Sequence, residues 1–477
     1  MASRGISCFG FVTREKEGIT MERKRIDRVT RLDRRTFLKG TGAAAVGLSL
    51  PTIVPASVFG ANAPSNRISM ACIGLGIQGT GNMRAFLGQN DVQVTAVCDV
   101  SESQRQKGKA VVDAHYGNED CATFGDFRDV CARTDIDAVL IATPDHWHVL
   151  IGLEAARHGM HMYYEKPIGW SFRAAQALRA AIHRYGVVFQ FGTQQRSGRD
   201  FRFACELVRN GRIGELQTIL VGVPGGVPVP SLPSEPVPDD IDYDRWLGPA
   251  PWAPYSFERC RPYTHRPDKP WTQNYSTWYH ISDYCIGFIG NWGIHHVDIA
   301  QWGHGAEDTG PVEIVGRGAF SQDGVADCAL TWQVENRFAD GVTVVHMDNE
   351  TSAAHPAQVQ GFSQGVLFRG TDGWVFVNRS KLDANPKSLL QSEIGPNETR
   401  LHASSSHHRD FLDAVRTGRT TACPIDVAVR SNTICQLDDI AIRLGRKLRW
   451  DPTKEQFLDD PQATRRLTRP MRNPWHT

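Results

Sequence analysis

The residues of this chain best suited to proton chemistry are one lysine and one histidine that lie far apart in sequence. Lys166 follows an apolar run in HMYYEKP, and His295 stands in GNWGIHHVDIAQW. An imidazole titrates near neutral pH and suits a general base, while an ammonium group polarises a hydroxyl and favours a neutral histidine beside it. Asp298 shares a helical face with His295 and is placed to orient the imidazole or a bound hydroxyl. This set predicts proton removal from an alcohol if the fold brings the two segments together.

A glycine-rich turn upstream of the lysine predicts a dinucleotide site. GLGIQG (74–79) follows one apolar strand-like run, and a second such run ends at Asp99, 20 residues after the last glycine. Gly74 permits a tight turn, Gly76 lets a pyrophosphate approach the backbone, and Gly79 lets the helix pack on the strand. Asp99 is expected to accept hydrogen bonds from ribose hydroxyls and to repel a 2′-phosphate, which favours NAD over NADP. The alternative is a glycine turn in a doubly wound sheet that binds no nucleotide.

Strand-like and helix-like runs continue to alternate as far as residue 196. Buried parallel strands are expected at 137–144, 161–167 and 187–196, with helices at 148–159 and 171–185, the second capped by Ser171. This order predicts an α/β Rossmann fold, a doubly wound parallel sheet, over residues 64–197. Ligands in such sheets bind beyond the carboxyl ends of the strands. Three polar clusters fall there: Asp145-His146, Glu165-Lys166 and Gln194-Gln195-Arg196.

The pattern changes after Gly211, and residues 198–477 are predicted to form a C-terminal α+β domain with a large open, mainly antiparallel sheet. A stretch rich in Pro, Trp and Tyr, 224–270, is either a meandering surface loop or an insertion whose aromatics wall the substrate cleft or a neighbouring subunit. The expected strands are 215–223, 312–320, 328–335, 342–347 and 366–377, and the expected closing helices are 408–416 and 427–444.

The first 63 residues have the pattern of an export signal. DRRTFLK (33–39) precedes a weakly apolar run that Pro51 and Pro55 interrupt, too short for a membrane span. The motif resembles the signals that direct folded proteins to the twin-arginine translocase; a mitochondrial-type presequence or a chance Arg-Arg pair is the alternative. Met21 is a candidate start, and cleavage is expected near residues 60–63. We therefore expect a periplasmic or otherwise exported protein without a membrane anchor, whose cofactor is loaded before export.

Composition excludes several other classes. The formal net charge is +1 over 477 residues, so there is no electrostatic case for nucleic acid, and no basic block suggests a membrane surface. The 11 cysteines contain no Cys-x-x-Cys pair, which excludes a zinc ribbon and a thioredoxin motif. The histidine pairs His146/His148 and His295/His296 lack a third ligand fixed by spacing, so no metal site is expected.

Three further motifs, in order after the glycine turn, resemble a known family. TPDHWH (143–148), EKP (165–167) and GIHHVD (293–298) are similar to those of the glucose–fructose oxidoreductase / inositol dehydrogenase / rhizopine-catabolism (Gfo/Idh/MocA) family. The resemblance covers about residues 67–450. It implies hydride transfer between a carbohydrate hydroxyl, of a sugar or polyol, and tightly bound NAD. It also implies a homo-oligomer assembled through the C-terminal sheet.

The motifs and the resemblance together assign residues to three roles. The catalytic residues implied are Lys166, His295 and Asp298. The expected cofactor-binding residues are Gly74, Gly76, Ile77, Gln78, Gly79, Asp99, Thr143, Pro144, His148, Glu165 and Lys166. The expected substrate-binding residues are Gln195, Arg196, His280, Asp283, Asn291 and His296.

One position departs from the family pattern and keeps alternatives open. Inositol dehydrogenase-like members carry Asp four residues before the histidine, whereas this chain has Asn291, which orients a group but cannot take a proton. His296, His280 and Asp283 are the candidate substitutes. Two alternative functions remain. The first is an NAD-dependent glycoside hydrolase of the same fold, which oxidises a ring hydroxyl, eliminates the aglycone and returns the hydride. The second is a non-catalytic sugar-binding protein. Retention of both the lysine and the histidine argues against the second alternative.

Overall fold

Six parallel strands form the first sheet of the computed structural model, which describes residues 66–261, 266–268, 271–359 and 361–477. The strands are β1 (Ile68–Ile73), β2 (Val92–Cys98), β3 (Ala122–Phe124), β4 (Ala138–Ile141), β5 (His161–Tyr164) and β6 (Phe189–Phe191). Their order is β3-β2-β1-β4-β5-β6. The order reverses at β1, so the turn after this strand lies at the point where such sheets bind ligands. The predicted doubly wound sheet is confirmed.

Five helices connect these strands. They are α1 (Ile77–Leu87), α2 (Glu102–Tyr116), α3 (Phe127–Cys131), α4 (Asp145–Arg157) and α5 (Phe172–Tyr185). The Ser171 side chain accepts a hydrogen bond from the Ala174 amide, so the predicted cap of α5 is confirmed. α4 begins three residues earlier than predicted, directly after Pro144, whose extended backbone starts the helix. α2 buries only Gly108 and Val112 and therefore lacks the apolar period by which a helix is predicted.

Nine strands form the second sheet, in the order β13-β12-β11-β7-β10-β9-β8-β14-β15. They are β7 (Leu216–Val223), β8 (Glu313–Phe320), β9 (Ala329–Arg337), β10 (Thr343–Asp348), β11 (Gly365–Gly370), β12 (Trp374–Val377), β13 (Leu382–Asn385), β14 (Leu448–Asp451) and β15 (Gln456–Phe457). β7 and β10 pair in parallel, while the other neighbouring strands pair antiparallel, so the predicted mainly antiparallel sheet is confirmed. The strand predicted at 366–377 is a hairpin of β11 and β12, because residues 371–373 reverse the chain.

Two long buried helices, α10 and α13, pack against each other and against this sheet. A methyl group at Gly293 would lie 2.6 Å from Cε1 of His346, so glycine at this position lets α10 approach β10 closely. The helices of the second half are α6 (Arg199–Arg209), α7 (Tyr243–Leu247), α8 (Phe257–Cys260), α9 (Phe288–Asn291), α10 (Gly293–His304), α11 (Asn349–Ala354), α12 (His407–Thr417), α13 (Ile425–Leu444) and α14 (Pro461–Arg465). Short 3₁₀ turns lie at Gln194–Ser197, Trp271–Asn274, Thr277–His280 and Lys387–Gln391.

The two sheets share one continuous apolar core, and all described residues belong to one compact unit. α12 follows most of the second sheet in the chain but packs on the first: Phe411 and Leu412 join Met83 and Phe86 of α1 in a buried cluster. The predicted division at residues 197 and 198 therefore does not hold for α12.

Three aromatic residues of the 224–270 stretch pack inward, whereas Trp252 and Phe257 are 71% and 54% exposed. Tyr243, Trp246 and Tyr255 enter a separate apolar cluster with Trp278 and Tyr284. These three side chains therefore do not wall a substrate cleft, and a contact of the stretch with a neighbouring subunit stays a prediction.

The predicted leader, residues 1–63, lies outside the described residues together with its twin-arginine motif. Within the described ranges, no helix has both the length and the apolar character that a bilayer span requires.

Candidate functional site

The turn after β1 leaves open space at its second glycine. Gly74 has a φ of +88°, and a methyl group there would lie 2.5 Å from the Ala142 carbonyl oxygen, so both the backbone conformation and the contact require glycine. A Cβ at Gly79 would collide with the Gly74 carbonyl, whereas a Cβ at Gly76 would meet no atom within 4 Å. This free space borders the N-terminus of α1, where unpaired amide groups favour an anion. The turn therefore fits the pyrophosphate of a dinucleotide.

Asp99 lies just beyond β2 and faces this turn. Its carboxylate accepts hydrogen bonds from the Leu75 amide at 2.8 Å and the Ser101 amide at 3.0 Å. A carboxylate has about four acceptor positions, so these amides leave acceptor capacity for a ribose hydroxyl. Ile77, beside the free space, is 59% exposed and leaves an apolar surface for a ligand to cover. These features support the expected contacts of both residues with NAD.

A segment of the 224–270 stretch is attached to the loop after β2; we call residues 239–242 the strap. Ser101 pairs with Ile241 in an antiparallel bridge, and the Glu102 amide donates to the Asp240 carbonyl at 2.6 Å. The stretch therefore reaches the nucleotide-binding edge of the first sheet.

Glu165, at the end of β5, joins the loops around the turn. Its Oε1 accepts hydrogen bonds from Gln78 at 2.9 Å, Asn82 at 2.8 Å and Gln194 at 3.0 Å. Glu165 is buried, and protein donors occupy this oxygen, so it positions the site and does not contact a cofactor through it. This position corrects the cofactor contact that was expected of Glu165. Glu165 also fixes the backbone of Lys166, the next residue.

The loop after β4 is braced by His148. Its Nε2 lies 2.7 Å from the Thr143 carbonyl oxygen, and its Nδ1 lies 2.6 Å from the Pro167 carbonyl oxygen. Buried between these two loops, His148 holds Thr143 and Pro144 in place, which replaces its expected contact with the cofactor. The Thr143 hydroxyl is buried and has no partner among the described residues, so it remains for a bound ligand.

A cavity of about 420 Å³ opens beside these loops. Lys166 is supplied by the end of β5 and His295 by α10, so segments from the two sheets meet in one place. The Lys166 ammonium donates a hydrogen bond to Oδ1 of Asn291 at 3.1 Å. The predicted residues that line the cavity are Gln78, Lys166, Gln195, Asn291 and His295; the others are Gln194, Gly198, Phe201, Tyr275, Trp292 and Arg379.

Burial and positively charged neighbours keep the imidazole of His295 in its neutral, basic form. Burial lowers the pKa of His295 well below its ordinary value, and the charges of Arg379 and Lys166 lower it further. Burial also lowers the pKa of Lys166, an effect that Glu165 and Asp145 oppose. Nδ1 of His295 has no hydrogen-bond partner in the described part of the chain. The cavity thus holds a neutral imidazole together with an ammonium group.

Asp298 and Arg196 bind each other and do not line the cavity. Nε and Nη2 of Arg196 donate to the two oxygens of Asp298 at 2.6 and 2.9 Å, and the Ser431 hydroxyl donates to Asp298 at 2.8 Å. Arg196 also pairs with Glu307 at 2.7 Å. The side chains of Asp298 and Arg196 are 0% and 2% exposed. The expected catalytic role of Asp298 and substrate contact of Arg196 are corrected, because each charge is compensated by the other in the core.

The three candidate substitutes for a proton acceptor also lie elsewhere. Nδ1 of His296 faces the Gly222 carbonyl oxygen at 3.0 Å, and burial lowers the pKa of His296 to about 4. His280 stacks on Phe288 with ring centroids 5.4 Å apart, and Asp283 lines a second cavity. Their positions contradict the expected substrate contacts in the first cavity. Within the described ranges, no three His, Cys, Asp or Glu side chains converge as a metal site requires.

Five cavity residues have no counterpart in the sequence prediction: Gly198, Phe201, Tyr275, Trp292 and Arg379. The guanidinium of Arg379 lies over the ring of Trp292, 4.6 Å from its centroid. With the Gln195 amide oriented to satisfy both of its neighbours, it accepts from Nε of Arg379 at 3.1 Å and donates to the His295 carbonyl at 2.8 Å. Arg379 follows β12 by two residues, and a charged residue just after a buried strand is the pattern that predicts it. Tyr275, just after the 224–270 stretch, has no such pattern.

Two family models match the chain. The model described as "Oxidoreductase family, NAD-binding Rossmann fold" matches residues 68–193, and the model described as "Oxidoreductase family, C-terminal alpha/beta domain" matches residues 227–477. Residues 68–193 are therefore an NAD-binding Rossmann fold, as predicted.

Similar proteins include oxidoreductases and a glycosyl hydrolase. The chain is 26% identical over 395 residues to the uncharacterized oxidoreductase YrbE of Bacillus subtilis strain 168, covering 80% of this chain and 97% of the relative. It is 26% identical over 203 residues to a glycosyl hydrolase family 109 protein of Shewanella sp. strain W3-18-1, covering 39% of this chain and 44% of the relative. Scyllo-inositol dehydrogenase from Lactobacillus casei, solved with NAD(H) and scyllo-inositol, has a TM-score of 0.54 at 15% identity, covering 80% of this chain and 99% of that one. This last likeness shows the fold.

Proposed function

The chain belongs to the Gfo/Idh/MocA oxidoreductase family, and from this premise we propose that it transfers hydride between a hydroxyl-bearing carbon of a sugar or polyol and NAD. The observation that carries the proposal is the meeting of Lys166 and His295 in one cavity beside the dinucleotide turn. When bound, NAD supplies the hydride acceptor.

The two residues divide the proton chemistry. His295 takes the proton of the substrate hydroxyl, because its depressed pKa keeps the imidazole unprotonated. The Lys166 ammonium stabilises the oxygen as this proton leaves. Asn291 accepts a hydrogen bond from Lys166 and holds the ammonium in place without adding a second proton acceptor. The departure from the family pattern therefore leaves a site of two residues.

The test is single-turnover reduction of bound NAD⁺ by a panel of aldoses and polyols, followed at the nicotinamide absorbance. We expect the wild-type protein to be reduced by members of the panel and Lys166→Met to be reduced much more slowly while keeping its nucleotide. Lys447→Met is the matched control, because that side chain is 56% exposed and pairs with Glu313 on the surface. The proposal fails if no member of the panel reduces the bound nucleotide.

A redox-neutral glycoside hydrolase is the second candidate, favoured by the match to the family 109 protein. The same two residues would then remove the proton of a ring hydroxyl while the hydride passes to bound NAD⁺, and the hydride would return to the ring after the aglycone has left. p-Nitrophenyl glycosides distinguish the two functions. Release of p-nitrophenol without lasting reduction of NAD⁺ identifies the hydrolase, whereas accumulation of reduced nucleotide identifies the dehydrogenase.

We also propose that the protein is exported with NAD already bound. The support is the arginine pair Arg34-Arg35, together with the strap on the nucleotide-binding edge. Replacing both arginines with lysine should leave the precursor in the cytoplasm, and normal export of that variant would reject the route. Native mass spectrometry of the exported protein should detect the nucleotide and also reports the oligomeric state, for which a homo-oligomer is expected.

A further inference from the structure

The substrate cavity carries more positive charge than proton transfer requires. Its lining residues include two cations, Lys166 and Arg379, and no aspartate or glutamate. Glu165, whose charge acts on both cations, accepts hydrogen bonds from three protein amide groups. Asp145 is buried beside Lys166, and burial raises the pKa of Asp145 to about 8, so this carboxyl is mostly protonated at neutral pH. The positive charge of the cavity is thus only partly compensated by the protein.

Arg379 is held in one orientation and keeps one edge open. Its face lies on Trp292, and its Nε donates to Gln195. The described residues accept no hydrogen bond from its terminal nitrogens, Nη1 and Nη2. Because stacking and the Nε bond fix the plane of the guanidinium, little rotational freedom is lost when a ligand binds this edge. The two terminal N–H groups form a fork that matches two oxygens of one planar anion.

We propose that the substrate is a sugar acid, whose carboxylate binds the Nη1–Nη2 edge of Arg379 while its reacting hydroxyl lies at Lys166 and His295. The inference rests on the proposed function and names the substrate class of the same site. A single fork suits a planar carboxylate, whereas a tetrahedral phosphate usually gathers backbone amides or several cations around it. Arg379 is in this view the residue that determines specificity.

The remainder of the cavity suits a monosaccharide. Its volume of about 420 Å³ lies within the range of small-ligand sites. The amides of Gln194 and Gln195 offer donors and acceptors for ring hydroxyls, and Phe201 and Tyr275 provide apolar surface for the C–H face of the ring.

The test compares D-glucuronate and D-galacturonate with D-glucose and D-galactose, and with D-glucose 6-phosphate, on the NAD⁺-loaded protein. Single-turnover reduction gives the limiting rate and the apparent affinity, and calorimetry gives binding where no reduction occurs. We expect the wild-type protein to prefer uronates over the matched aldoses. In Arg379→Ala the uronate-to-aldose affinity ratio should fall about 10- to 100-fold, the range for a lost charged hydrogen-bond pair, and the change should lie in apparent affinity more than in limiting rate.

Two further variants separate recognition from structure. Arg379→Lys keeps the charge but not the fork and should lie between wild type and Arg379→Ala. Arg317→Ala removes an exposed arginine from β8 and should leave the ratio unchanged. The inference is overturned if aldoses are used as well as uronates, if Arg379→Ala weakens both equally, or if the phosphate is preferred. Uronate binding that depends on Arg379 without any reduction of NAD⁺ would keep this inference and reject the proposed function.

Discussion

Replacing Asp298 with asparagine is expected to destabilise the fold and to spare the chemistry. Asp298 and Arg196 are almost fully buried, and two hydrogen bonds join them. The substitution keeps the size of the side chain, removes its charge and leaves Arg196 with Glu307 as its remaining acidic partner.

The structure sets the size of this effect. Removing one partner of a buried ion pair costs about 3 to 5 kcal/mol, because the remaining charge stays in the core without compensation. Arg196 keeps its pairing with Glu307, whose side chain is 26% exposed, so part of its charge stays compensated. We therefore expect the lower value, a loss of about 3 kcal/mol in the free energy of unfolding. For about 400 ordered residues the entropy of unfolding is about 0.8 kcal/mol per kelvin, so the melting temperature should fall by about 4 °C.

Denaturant titration and thermal melting of the NAD-loaded protein measure this loss. Asp135→Asn is the matched control, because its partner Arg133 binds it at the surface and Asp135 is 60% exposed. The control should change the free energy of unfolding by less than about 0.5 kcal/mol. The single-turnover rate of Asp298→Asn, measured per folded molecule, should remain close to that of wild type.

The opposite result would refute this account of the pair. If Asp298→Asn is as stable as wild type but reduces NAD⁺ about 100-fold more slowly, Asp298 acts on the reaction. It would then regain the catalytic role that the family resemblance implies.

Lys166→Met and His295→Ala should each slow single-turnover reduction of NAD⁺ about 10²- to 10⁴-fold. The double variant should be little slower than the slower of the two single variants, because the two residues act as a unit. Additive losses of rate would show that the two residues act separately. Because the pKa of His295 lies well below its usual 6.5, the wild-type rate should stay level as pH falls through 6.5, and an acid limb at that pH would contradict the assignment. Burial raises the pKa of Asp145 from 3.8 to about 8, so the protonated carboxyl stabilises the fold at low pH, and this contribution is lost as pH rises through the interval. The melting temperature of Asp145→Asn should therefore rise relative to that of wild type over the same interval. A constant difference between the two melting temperatures would count against this account of Asp145. Asp99→Ala should lower the ratio of NAD to NADP affinity in calorimetry, and an unchanged ratio would remove Asp99 from the ribose site.

The parts of this molecule that sequence predicts are those with local patterns. The glycine turn, the cap at Ser171 and the strand before Lys166 each depend on neighbours within a few residues, and each lies where predicted. Lys166 and His295 are found because family motifs mark them, although 129 residues separate them.

Long-range pairing of polar groups has no such pattern. Arg196 follows a strand and Asp298 lies on a helix beside the catalytic histidine, so both have the sequence context of site residues. Only the folded chain shows that they neutralise each other across 102 positions. Arg379 is the converse case, because its place in the cavity depends on β12 ending beside Trp292.

Because α12 packs on the first sheet, the stability of each half of the chain depends on the other half. His408 stacks on Tyr163 with ring centroids 4.9 Å apart, and Arg409 binds Asp91 at 2.8 and 3.0 Å, so a helix from the last third of the chain covers part of the first sheet. A fragment cut after residue 197 would expose the apolar side chains that Phe411 covers, and the intact chain should melt as one cooperative unit. Chimaeras that exchange substrate halves between relatives would have to carry α12 along with the nucleotide-binding half, which makes recombination at the apparent domain boundary unproductive.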